Sequence, residues 1–386
     1  MLEADNIAEG ITQSKILRIR EDFGIEGLKD PGEMGMAIVT EGKDADHEDN
    51  VLEVFKKQGF IIVRGGKFNR NNLHEIGVGC GDSMVVENNR NERLAELVGL
   101  QMPNRFTPEE VIQSDAPVVA KRKSADRGES KFLLETEDQK VKFIAWAILG
   151  NKLEEVLGKS AESRLKLDQL LDQVRRNNFP EINRKQTIIH GYTFEEFIET
   201  PGSHYNSFRV LVDCFGNVQY GAVLRSGHKK DSDYLPDNTT KTFPMDEPEL
   251  WCYNFENLLR NPTSPFYLHA KKIVSNIARG GSRIFLNGEP VNDQTDQEVL
   301  NFLGIDPQHP MIPLEMAKAS SKIGVLSRGD YPFVGVDFLK RLNNGPVMLE
   351  INLGPNIPPQ FLGLLEGTSP DDCELEMMRR VAESVK

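Results

Sequence analysis

The stretch that decides the reading is Val334-Gly-Val-Asp-Phe-Leu-Lys-Arg-Leu-Asn-Asn-Gly-Pro-Val-Met-Leu-Glu-Ile-Asn-Leu-Gly-Pro-Asn356. Two apolar runs flank Asn343-Asn344-Gly345, and a turn of that composition fits a short antiparallel hairpin. Successive strand residues face opposite ways, so Met348, Glu350 and Asn352 are expected on one face and Val347, Leu349 and Ile351 on the other. A turn centred on Asn343-Asn344 or Asn344-Gly345 sets Asp337 opposite Glu350 or Asn352. Three oxygen-bearing side chains then converge in an otherwise apolar hairpin. An unpaired carboxylate there would cost several kcal/mol, and a hard cation such as Mg2+ removes that cost by accepting oxygen ligands. The alternative is a surface hairpin with solvated acids.

The whole chain supports a folded protein. Its 386 residues are 39% hydrophobic and 27% charged, enough to bury a sizeable core in two or three domains. A net charge of -13 argues against nucleic acid as the main partner. Cys80, Cys214, Cys252 and Cys373 form no Cys-x-x-Cys pair, so neither a disulfide framework nor a zinc site is expected, and a reducing cytosol fits best. The N-terminus lacks signal-peptide character, and no apolar run has membrane-spanning length. The expectation is a cytoplasmic protein that binds no membrane.

Around the hairpin the pattern alternates strands and helices. Met36–Val39 and Phe60–Val63 read as strands, with a helix from about His47 to Lys57 between them, giving a small N-terminal α/β domain over residues 1–85. Asn91–Gly99 reads as a helix stopped by glycine. Pro117–Lys121 and Phe132–Leu134 read as strands around a polar loop. Leu165, Leu167, Leu170 and Leu171 suggest a helical insertion within 86–190. Residues 191–386 then carry strands at Tyr192–Ile198, Phe208–Val212 and Val218–Leu224, the last two joined through Asp213–Asn217. His228–Pro262 and Asp306–Pro313 read as irregular cover. Gly158-Lys159-Ser160 and Gly77-Val-Gly79-Cys-Gly81 fail the phosphate-loop and dinucleotide patterns and are expected to be simple turns. No His-Glu-x-x-His or Gly-x-Ser-x-Gly motif supports a hydrolase.

Four pieces in fixed order resemble the ATP-grasp superfamily, and among its members the carboxylate-amine ligases of the ribosomal-protein glutamate ligase and glutathione synthetase type. Pro117-Val-Val-Ala-Lys121 with the loop carrying Ser124 and Gly128 is similar to the family's strand lysine and phosphate-covering loop. Thr193-Phe-Glu-Glu-Phe-Ile-Glu199 resembles the adenine hinge. The resemblance implies that the Glu196 carbonyl and the Ile198 N–H, flanking Phe197, meet the adenine edge, and that Glu199 meets ribose. Ser207-Phe-Arg-Val-Leu-Val212 and Gly221-Ala-Val-Leu-Arg225 resemble the strand pair carrying two arginines. Of these, Arg225 is the first candidate to stabilise a transferring phosphoryl group, with Arg209 either assisting or forming a structural ion pair. Asp337, Glu350 and Asn352 match the family's metal hairpin residue by residue.

Two departures stand out. Asn88-Asn89-Arg90-Asn91 occupies the place of a phosphate-touching lysine, which makes Arg90 the substitute. The phosphate loop holds Asp126 where the family crowds glycines. What the resemblance implies is an α/β (α+β) ATP-grasp fold using ATP and Mg2+, with Mn2+ as the alternative ion. The implied reaction joins a carboxylate to an amine through an acyl phosphate, the partners being an amino acid, a peptide or a small acid, in a monomer or a homo-oligomer. A scaffold module that has lost chemistry and a phosphotransferase on the same fold are the competing readings.

Overall fold

The computed structural model describes residues 37–40, 46–64, 75–78, 87–122, 131–149, 169, 172–176, 188–189, 192–230, 281–341, 345–353, 355 and 357–384. In chain order the elements begin with β1 (Ala37–Thr40), α1 (Asp46–Lys57), β2 (Ile61–Arg64), β3 (Glu75–Val78) and α2 (Glu87–Val98). Next come β4 (Arg105–Phe106), α3 (Pro108–Gln113), β5 (Val118–Arg122), β6 (Lys131–Leu134), α4 (Glu137–Leu149), β7 (Ile188–Ile189) and β8 (Tyr192–Glu196). The remainder is β9 (His204–Asp213), β10 (Val218–Lys229), β11 (Ser282–Phe285), α5 (Gln294–Phe302), α6 (Leu314–Leu326), β12 (Phe333–Lys340), β13 (Pro346–Leu353), a 3-10 turn at Pro359–Leu362 and α7 (Pro370–Glu383).

Three sheets result. Strands β2-β1-β3 form a small parallel sheet. Strands β4-β8-β5-β6 are antiparallel, with β7 beside β8. Strands β11-β10-β9-β12-β13 form the largest sheet, also antiparallel. The chain is thus α+β, with a parallel element at its N-terminal end.

Period-two alternation sorts the large sheet into two faces. Phe208, Val210 and Val212 of β9, Val223 of β10, Ile284 of β11 and Val334, Val336 and Phe338 of β12 bury against α5, α6 and the end of α2, through Leu300, Ile323 and Leu94. From the other face Leu211, Tyr220, Ala222 and Leu224 join a second core with Leu52 and Phe55 of α1, Ile76 of β3 and Met377 and Val381 of α7. Helix α7 forms because Ser369 caps it, accepting from the Asp372 N–H, and Pro370 stands in its first turn.

The structure corrects two sequence expectations. Gly77 is not in a simple turn. It lies in β3, donates its N–H to the Arg328 carbonyl at 2.9 Å, and a Cβ there would stand 2.3 Å from the Gly329 carbonyl oxygen. Met348 does not share a face with Glu350. Asp337 pairs with Glu350 but the next residue, Phe338, pairs with Met348, so Leu349 is an extra residue in a β-bulge. Met348 therefore packs with Ile351 in the helix-covered core, while Glu350 and Asn352 stay with Asp337. The leucines at 165, 167, 170 and 171, the Gly158-Lys159-Ser160 stretch, residues 231–280 and the hairpin tip at 342–344 lie outside the described residues.

Candidate active site

Strand β12 is apolar on one face because it is sandwiched in the core, and the opposite face is where Asp337 emerges. The residue is buried, with 9% of its side chain exposed, so its charge needs a partner. The neighbouring strand supplies one. Asp337 stands beside Arg209 in the register of β12 and β9, and Arg209 donates from Nε and Nη2 to the two carboxylate oxygens, each at 2.7 Å. This fork-on-carboxylate geometry is the strong form of an ion pair. Asp337 in turn holds the Arg209 guanidinium well above its ordinary pKa, against the opposing effect of burial. On the other side Asn352 donates its Nδ2–H to Asp337 Oδ2 at 3.2 Å. Asp337 thus sits between the two, with Glu350 opposite it in register.

The second sheet reaches the same place. Lys121, near the end of β5, donates to Glu350 Oε2 at 2.9 Å, with about a quarter of each side chain exposed. Burial works to lower the lysine pKa, but Glu350, with help from Glu195 and Asp337, more than offsets it, so the ammonium is held above its usual range. Arg341, just beyond β12, pairs with Glu196 of β8 at 3.1 Å, and Glu196 also accepts from the Asn104 side-chain amide at 2.9 Å. Two ion pairs therefore join the two antiparallel sheets. The chain that leaves β8 as Phe197-Ile198-Glu199 and enters β9 is the covalent link between those sheets. Phe197 stacks edge-on with Tyr205, Ile198 is buried, and Glu199 is exposed, 3.8 Å from Lys230.

Asp337, Glu350, Asn352, Arg209 and Lys121 are brought together, and Glu196, Phe197, Ile198 and Glu199 lie on the stretch that runs from β8 towards β9. Arg225 is not brought there. It shares the parity of Val223, so it projects from the helix-covered face, where it donates to Asp296 of α5 at 3.0 Å. Arg90 lies in α2, and its side chain, like Ser124 and Gly128, is outside the described residues. Arg283 and Tyr220, which the sequence did not single out, project from the same face as Arg209. Arg283 belongs to the four-residue strand β11, whose Ser-Arg-Ile-Phe sequence carries little signal alone.

Among the described residues no three His, Cys, Asp or Glu side chains gather, so the candidate donor set is two carboxylates and one amide. All three are hard oxygen donors, and each carboxylate already faces a cation. That chemistry fits Mg2+, which binds through one or two carboxylates and fills its shell with water or phosphate oxygens.

No family model and no curated protein matches the chain. Solved structures similar to it include proteins described as ATP-grasp. One is the Chryseobacterium gregarium RiPP-associated ATP-grasp ligase, in complex with ADP and a leader and core peptide, at 12% identity over 91% of this chain and 97% of that one, with a TM-score of 0.35. Another is a RimK domain ATP-grasp protein from Sphaerobacter thermophilus, at 11% identity over 90% and 98%, with a TM-score of 0.34. A third is the macrocyclase MdnC of Microcystis aeruginosa bound with its precursor peptide, at 12% identity over 91% and 100%, with a TM-score of 0.35. Such low identities and scores leave the fold to be defined by its own strand order and side-chain geometry. Among the described residues no helix is long and apolar enough to cross a membrane.

Proposed function

We propose that the chain is an ATP-grasp ligase that joins a carboxylate to an amine with release of ADP and phosphate. The observation that carries the reading is the convergence of Asp337, Glu350 and Asn352 from β12 and β13 with Arg209 from β9 and Lys121 from the opposing sheet. ATP would lie in the cleft between the two antiparallel sheets, under the proposed division at about residues 85 and 190. The Glu196 carbonyl and Ile198 N–H would take the adenine edge and Glu199 the ribose. Lys121, Arg90 and the loop with Ser124 and Gly128 would hold the phosphates. Asp337, Glu350 and Asn352 would hold Mg2+, or Mn2+ in its place, which when bound neutralises phosphate charge.

The reaction needs no protein nucleophile. A carboxylate oxygen of the substrate attacks the γ-phosphorus, the bond to the bridging oxygen breaks, and ADP leaves with that electron pair. The amine nitrogen then attacks the acyl carbon, the bond from that carbon to the phosphate oxygen breaks, inorganic phosphate departs, and the ammonium proton passes to solvent. Arg209 would stabilise the transferring group, with Asp337 among the residues that would hold the metal, since Arg225 pairs with Asp296 on the other face. Positioning of the substrates between the two sheets would supply the remainder.

The test is calorimetric binding of AMP-PNP with Mg2+ to wild type and Glu350→Gln. Metal-dependent binding weakened at least about tenfold in the variant is expected, since one charged contact is lost. Equal binding by both proteins contradicts the assignment.

A further inference from the structure

Among the described residues Arg283 is a cation with no acid beside it. Ile284 packs in the helix-covered core, so its neighbours Arg283 and Phe285 project from the same face as Arg209 and Asp337. Among the described residues no carboxylate pairs with Arg283, and its Nε is buried without a hydrogen-bond partner. Tyr220, nearby on β10, is in the same condition: its ring packs against Phe285 and Phe361, while its hydroxyl is buried and unpartnered. Burial pushes the Tyr220 hydroxyl up to about 12, against the pull of Arg283 and Arg209, so it stays a neutral donor. Burial also lowers the Arg283 guanidinium pKa, Tyr220 opposes that shift, and Arg209 adds to it. Two arginines within electrostatic reach of each other, one of them without an acid, leave an excess of positive charge beside two orphaned donors. A buried donor without an acceptor is costly, so the arrangement calls for an anion.

We infer, on the basis of the ligase reading, that Arg283 and Tyr220 anchor a carboxylate of the acid substrate. The group they hold is not the triphosphate. Strand β11 is three strands from β12, about 14 Å at the usual strand spacing, and the phosphates belong with Lys121 and the metal donors. Arg209 on β9 lies between, so an acid that reacts near Arg209 and carries a second carboxylate reaches both. The substrate class is therefore a dicarboxylate, or a peptide or amino acid with an acidic group beside the reacting one. A planar guanidinium and a hydroxyl within its electrostatic reach suit a carboxylate.

Phenylglyoxal labelling of arginines in the full chain, mapped by peptide mass, tests this directly. Arg283 should label faster than Arg209, which Asp337 occupies, and succinate should slow its labelling. Tyr220→Phe keeps the ring packing and should raise the half-protecting succinate concentration about tenfold, the effect of one lost bond to a charged group. Arg283→Lys should retain binding of succinate by calorimetry more weakly than wild type, and Arg283→Gln should lose it. Labelling indifferent to succinate, protection by inorganic phosphate alone, or protection unchanged in Tyr220→Phe would each overturn the inference. If succinate protects while AMP-PNP with Mg2+ fails to bind, the carboxylate site stands and the ligase reading falls.

Discussion

Asp337 and Asp213 are both buried carboxylates on the sheet that carries the site, yet they are satisfied by opposite means, and the difference is measurable. Asp337 rests on the Arg209 fork, so removing the fork strands a charge. Arg209→Gln should lower stability without Mg2+ by roughly 3 kcal/mol, as when one partner of a buried pair is lost. Millimolar Mg2+ should recover part of that, because a cation that binds only the folded protein stabilises it. Urea midpoints with and without Mg2+ read both effects, and a loss that Mg2+ leaves untouched would separate Asp337 from metal binding. Among the described residues no cation pairs with Asp213. It accepts N–H donors from Phe215, Asn217 and Gln219, but burial dominates and raises its carboxyl to about 6. A carboxyl with a raised folded-state pKa contributes most below the unfolded value, near 4, and that contribution falls as pH rises to 6. Stability should drop by about 3 kcal/mol across that window, and the drop should vanish in Asp213→Asn, whatever its cost at fixed pH. The acids were legible in sequence because charge in an apolar strand is conspicuous. Which arginine faces Asp337 was not legible, because their faces depend on the register between β9 and β10 rather than on either strand alone.

At the scale of elements, close approach decides which glycines can change. Gly324 lies inside α6, where alanine ordinarily gains about 1 kcal/mol. Here a Cβ would stand 2.3 Å from the Asp213 carbonyl oxygen and 2.8 Å from Val212 Cγ2, so α6 would have to lift from β9. Gly324→Ala should therefore destabilise by about 2 kcal/mol in urea unfolding, since overpacking against a fixed backbone outweighs propensity. A stabilised variant would show that α6 is loosely seated. The hairpin of β12 and β13 was readable from its apolar alternation, but the bulge was not. Counting by twos along a strand detects no extra residue, and only the core positions of both Met348 and Ile351 reveal Leu349 as the surplus. Helix α7 was not read from the sequence; the structure shows its cap at Ser369, Pro370 in its first turn and buried Cys373, Met377, Met378 and Val381. Its partner surface could not be read either, since the residues it covers are drawn from distant parts of the chain.

For the whole molecule, that covering is the main structural fact. Leu52, Phe55 and Ile76 share one core with Leu211 and Tyr220 of the large sheet and with Met377, Met378 and Val381 of α7. Met377→Ala should cost about 3 kcal/mol, and protection from hydrogen exchange should fall in β1 to β3 as well as in α7. A loss confined to α7 would mean that the parallel sheet is held by other contacts. A ribosome must therefore release α1 and the parallel sheet long before the residues that cover them. At ordinary synthesis rates the interval is on the order of tens of seconds, during which the apolar side of α1 belongs to a nascent chain with nothing yet to close it.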